Sequence, residues 1–141
     1  MSGIDYLRGM RDGALTMPPI AALLSLGFEL IEQGRVIFTA QAGRFFGNPM
    51  GGVHGGFAAC VLDSSLGCAT LSLCKAGEAF TTHELQVKLV RPLPFETRVR
   101  CIGEVVHAGK RMVTSHGRLE GDDGKLYAHG SSSCLFVPLG P

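Results

Sequence analysis

The stretch NPMGGVHGGFAACVLD, residues 48–63, runs a glycine-rich turn straight into an apolar segment that holds one carboxylate, Asp63. Glycine lets the backbone come close to a ligand. The first amides of a helix have no acceptor inside it and carry partial positive charge. A helix beginning at Gly55 therefore offers a donor suited to a developing oxyanion. Asp63 lies among Phe57, Cys60, Val61, Leu62, Leu66 and Leu71. An acid in such company is costly to bury, and chemistry is one reason to keep it. Asp63-Ser64-Ser65 also reads as a plain interruption, with Asp63 capping a second helix, since Asp and Ser are favoured caps.

Working outward, the pattern from Gly55 to about Lys75 is a helix apolar nearly all round, which predicts a core position. Gly77 suits its C-terminal stop. Residues 53–74 approach membrane-spanning length, but they start with His54 and carry Asp63, Ser64 and Ser65 at their middle. A buried core helix is the better reading. Beyond it the period changes to two: Thr81, His83, Leu85, Val87 and Leu89 alternate with Thr82, Glu84, Gln86, Lys88 and Val90. Residues 96–107, 111–121 and 125–137 are three more strands, with turns at Ala108-Gly109-Lys110 and Asp122-Asp123-Gly124. Upstream, Pro18 and Pro19 open a short helix with Ile20, Leu23 and Leu24 on its apolar face, ending near Gly27. Phe28 to Gln41 reads as a hairpin turning at Gln33-Gly34, with Val36, Phe38 and Ala40 alternating. Residues 42–54 are loop. The expected chain is one α+β domain over residues 1–141, with 1–27 as an N-terminal segment and short helix. A hairpin, a long helix and a four-stranded antiparallel meander form a sheet that curls around the helix.

The length suits one domain of ordinary size, and 45% hydrophobic residues suffice for a core. A net charge of +1 argues against a nucleic-acid surface. Five cysteines, an odd number with no C-x-x-C pair, imply reduced thiols in a cytoplasmic protein. Asp5, Arg8, Arg11 and Asp12 within Met1 to Thr16 speak against a signal peptide, and no membrane association is expected. The five histidines show no zinc-site spacing, so no metal is expected. The glycine loop lacks the Lys-Ser/Thr ending of a phosphate-binding P-loop.

The string Asn48…Gly51-Gly52-Val53-His54-Gly55-Gly56…Asp63, followed by Thr82-His83-Glu84-Leu85…Arg91-Pro92, resembles the hot-dog-fold acyl-CoA thioesterases over residues 45–137. The phenylacetate-pathway (PaaI) and thioesterase-superfamily-member-2 type is the best match. The resemblance implies an acyl-CoA substrate, with coenzyme A as part of it and no separate cofactor. It implies that Asn48 and the Gly55 amide hold the thioester carbonyl and that Asp63 is general base or nucleophile. It also implies that Thr82, or Thr81 one register away, helps position water. Gly56 and Phe57 join the substrate-binding set. Arg91, Lys110 and Arg111 are candidates for the phosphates of coenzyme A, and Phe45, Phe46, Met50, Phe57 and Phe80 for the pocket walls. His54 joins the catalytic set, as a structural residue or a hydrogen-bond donor at the turn. Cys60 reads as a buried inert thiol.

Gly55 and Asp63 are eight residues apart, about 12 Å along one helix. Groups acting on one carbonyl must converge to about 3 Å. One chain therefore cannot easily supply both, whereas two antiparallel helices across a twofold axis can. The resemblance implies the same: a homodimer with shared sites, paired into a dimer of dimers. An acyl-CoA hydratase or dehydratase is weaker, because no His follows Asp63 until His83. A non-catalytic acyl-CoA-binding module is disfavoured by the presence of both Asn48 and Asp63.

Overall fold

The computed structural model describes residues 1–140. The N-terminal residues form α1 (Gly3–Arg11), to which the sequence reading gave no element. Ser2 caps it, and Leu7 and Met10, three residues apart, bury the side that faces the core. So narrow an apolar stripe on a nine-residue helix carries little periodic signal. Next comes α2 (Pro19–Leu23), opened by proline as expected. Its buried side is Ala21 with the following Leu24, whereas Ile20 and Leu23 are exposed, a correction to the expected face.

The hairpin is β1 (Gly27–Glu32) and β2 (Arg35–Gln41), turning at Gly34 with φ +75°. A single 3-10 turn, Arg44–Phe46, interrupts the loop that follows. Then come α3 (Gly55–Leu71) and the strands β3 (Glu78–Leu89), β4 (Arg98–Ala108), β5 (Met112–Gly121) and β6 (Leu126–Pro138). All pairings are antiparallel in one sheet ordered β1-β2-β4-β5-β6-β3. The meander is thus β4-β5-β6 only. β3 pairs with β6 at the far edge, not with β4, which corrects the four-strand reading. Alternation shows that a segment is a strand but not which neighbour it takes.

The sheet reaches α3 through small residues. Gly103, Gly117 and Gly130 lie side by side across β4, β5 and β6. A Cβ on Gly103 would stand 2.5 Å from the Ser65 carbonyl oxygen, and one on Gly117 would meet Leu62 and Leu66. Ser65, fully buried, sends its hydroxyl to the carbonyls of Val36 (3.1 Å) and Cys101 (3.2 Å), which ties α3 to β2 and β4. Thr70 likewise bonds the Leu66 carbonyl (3.2 Å). Ser65 and Thr70, polar residues within the apolar run, are therefore satisfied inside the core.

Gly103→Val forces a side chain against helix backbone, which cannot rotate away. Such overpacking costs about 1–3 kcal/mol or more, a large share of the roughly 5–15 kcal/mol that holds a domain together. The denaturant midpoint should fall accordingly. An unchanged midpoint would show that the helix and sheet are not in close contact at this point.

One long helix wrapped by a curved antiparallel sheet is the α+β architecture the resemblance implied. However, α3 is not covered all round. Gly56, Ala59, Cys60 and Asp63, at helical spacing, form a stripe on which Cys60 and Asp63 are exposed. The reading of Cys60 as a buried thiol is corrected accordingly. Beside that stripe runs the edge strand, where Thr81 to Gln86 are all exposed. No helix is long and apolar enough to cross a membrane among the described residues.

Candidate active site

The turn that opens α3 is held by its own hydrogen bonds. The Asn48 backbone N–H donates to the Gly52 carbonyl (2.8 Å) and Gly51 N–H to the Asn48 carbonyl (3.0 Å), with Gly51 at φ +83°. The side-chain Oδ1 of Asn48 accepts from the Met50 and Gly52 amides, each at 3.0 Å. That leaves Nδ2 as the donor end of Asn48. His54 is the N-cap of α3, and its Nδ1 accepts from the Gly56 amide at 2.9 Å. The Phe57 amide bonds the His54 carbonyl at 3.0 Å. With Gly56 and Phe57 so engaged, Gly55 carries the leading amide of the helix, which has no intrahelical acceptor.

Gly55 and Asn48 line a cavity of about 460 Å3 together with Met50, Leu89, Arg91 and Tyr127. The Arg91 guanidinium also donates to the Leu126 carbonyl (3.3 Å). A Cβ on Gly55 would lie 2.5 Å from Cδ1 of the exposed Leu89 side chain, which would have to turn aside.

Asp63 lies elsewhere. It lines a second cavity, of about 300 Å3, with Ser64, Cys68, Phe80 and Thr82 among the walls. Its tip is exposed, yet the apolar surroundings are dense enough to push its carboxyl above the ordinary aspartate range. A hydrogen bond from the Thr82 hydroxyl opposes part of that rise. Of the two threonines, Thr82 lines this cavity and Thr81 does not. Cys134 Sγ sits 3.9 Å behind Thr82 Oγ1. The Cys68 thiol is pushed up to about 12, first by burial and then by the Asp63 charge, so it stays protonated and is no nucleophile.

A single chain therefore holds a donor end and an acid end in separate cavities. Among the other residues singled out from sequence, Phe80 lines the Asp63 cavity and Met50 the Gly55 cavity. Phe57 is buried in the core beneath Phe46, ring centroids 4.9 Å apart, and lines neither. Phe45 is exposed and stacks on Phe46 at 4.7 Å. Lys110 and Arg111 sit exposed in the β4–β5 turn, near the start of β3, whereas Arg91 follows the end of β3. The fold does not bring these three cations together within one chain. The wall residues Leu89, Tyr127, Tyr6, Met10 and Phe28 escaped sequence reading, because nothing local marks a wall formed by elements far apart in the chain.

The family model of the thioesterase superfamily matches residues 50–128. A phenylacetic acid degradation-related protein of Ralstonia eutropha JMP134 superposes with a TM-score of 0.85 at 24% identity, over 92% of this chain and 98% of that one. The E. coli PaaI protein of the phenylacetic acid degradation operon gives 0.82 at 17% identity, over 98% and 94%. A thioesterase family protein from Silicibacter pomeroyi gives 0.81 at 24% identity, over 94% and 98%.

Proposed function

The chain belongs to the thioesterase superfamily, and on that footing we propose that it hydrolyses acyl-CoA thioesters at a site shared by two copies of itself. The observation that carries this reading is Asp63, which shares an apolar cavity with Thr82 and Phe80 and whose carboxyl is held by burial above its usual range. In the proposed site, the carbonyl oxygen of the substrate accepts from the Gly55 amide and from Asn48 Nδ2 of one chain. Asp63 of the other chain, as its anion, either takes a proton from water as the water oxygen bonds the carbonyl carbon, or attacks that carbon itself. The tetrahedral oxyanion rests against the two donors, preset by the turn, which is worth a few kcal/mol. Collapse then breaks the C–S bond and expels coenzyme A thiolate. Where Asp63 has attacked, water afterwards cleaves the mixed anhydride.

Sharing follows from distance and from the open stripe. Gly55 and Asp63 stand about 12 Å apart on one rigid helix, in separate cavities. The uncovered side of α3 and the unpaired edge of β3 lie together. Edge-to-edge pairing of β3 with its twin sets two α3 helices antiparallel and brings the acid end of one chain to the donor end of the other. In this arrangement Arg91 of one copy approaches Lys110 and Arg111 of the other, where the phosphates of coenzyme A would lie. All five cysteines are free, which supports a cytoplasmic, reducing compartment.

The intact protein, mixed with a thiol reagent and a panel of aryl and butyryl- to palmitoyl-CoA esters, should release free thiol. Release from no member of the panel would remove the hydrolase proposal.

A further inference from the structure

The cavity beside Asp63 has a length and an end. On α3 its lining is Asp63, Ser64, Gly67, Cys68 and Leu71, one face of the helix at i, i+1, i+4, i+5 and i+8. That face is about 12 Å long. A zigzag hydrocarbon advances roughly 1.3 Å per C–C bond of about 1.5 Å, so nine or so bonds span it.

At the far end the N-terminal helix packs against α3. Gly3 packs so tightly on Leu71 that a Cβ there would overlap the Leu71 carbonyl. Leu71, partly buried, packs against the buried cluster that contains Leu7 and Met10, and Met10, Tyr6 and Met17 line the cavity. Beyond Asp63, Ser64 and Thr82 at the reacting end, Tyr6 alone brings a polar side chain to the lining, and no cation does. A charged tail would lose hydration without finding a counter-ion. A compact aryl group would fill only the Asp63 end.

Resting on the thioesterase reading above, we propose that this cavity takes a straight, unsubstituted acyl chain of about eight to ten carbons. Its carbonyl lies at Asp63 and its methyl end runs toward Leu71 and the α1 residues Tyr6 and Met10 that line the cavity, so that α1 sets the accepted chain length.

The test is kcat/KM over butyryl- to palmitoyl-CoA and phenylacetyl-CoA, with calorimetric titration of decanoic acid as a readout free of turnover. The peak should fall at octanoyl- or decanoyl-CoA, about tenfold or more above butyryl-CoA. Met10→Ala opens the far end and should move the peak by at least two carbons. Tyr6→Ala, at a residue 44% exposed and so safe for folding, should move it in the same direction. Cys68→Phe fills the middle and should lower the decanoyl-to-butyryl ratio about tenfold or more. A peak at butyryl- or phenylacetyl-CoA, or a profile identical in all variants, overturns the assignment. Turnover of no ester would sink the hydrolase reading instead. Binding of decanoic acid that is lost in Cys68→Phe would then still uphold the cavity, and absence of binding would overturn it.

Discussion

Asp63→Asn should lower turnover of the best acyl-CoA substrate by about a hundredfold or more, the loss expected when a general base or nucleophile is removed. Asparagine keeps the size and the Thr82 neighbour but has no basic lone pair at neutral pH. The fold should survive. Apolar surroundings raise the Asp63 pKa in the folded state, so the folded chain binds this proton more tightly than the unfolded one. Stability then declines as pH rises from the ordinary aspartate range through the raised value. A neutral asparagine removes that penalty, and Asp63→Asn should melt no lower than the parent at neutral pH. The same direction fixes a kinetic signature. The acidic limb of kcat/KM, which reports the free enzyme, should lie above the ordinary aspartate pKa and vanish from the residual activity of the variant. Undiminished turnover would remove Asp63 from the chemistry.

Two inactive proteins should make an active one. Asp63→Ala loses the acid end and Asn48→Ala a donor, and each alone should be nearly silent. Mixed and allowed to exchange, random pairing gives half the dimers one chain of each kind. In those, one of the two composite sites is intact and the other lacks both groups. Recovery of about one quarter of parental activity follows from the twofold symmetry. Confirmed exchange with no recovery would place the whole site within one chain and contradict the 12 Å argument.

Much of this was legible in the chain because it is local. The glycine turn, the start of α3 at Gly55 and the twofold alternation after Gly77 depend on residues near one another, and all match the structure to within a few positions. The position of β3 was not legible. Its alternation is as regular as that of its neighbours, but pairing with β6 is decided by long-range closure. Helix α1 was missed because it buries little more than Leu7 and Met10, and its contribution is made against the distant Leu71. The uniform apolarity of α3 also concealed a bare stripe, since glycine, alanine and cysteine read as core residues but also suit a contact surface. The register left Thr81 and Thr82 open, and a bulge between Thr82 and Glu84 shows why counting along that strand is treacherous.

The rim formed by β3 has a consequence beyond the reaction. Twelve residues long and paired on one flank only, it is the kind of ribbon that recruits any stray strand it meets. If the proposed dimer forms through this edge, a newly made copy must find its twin before it finds another protein's unfinished sheet. Selection for colloidal good behaviour and selection for turnover would then act on the same few side chains, and a change that harms one would register in the other.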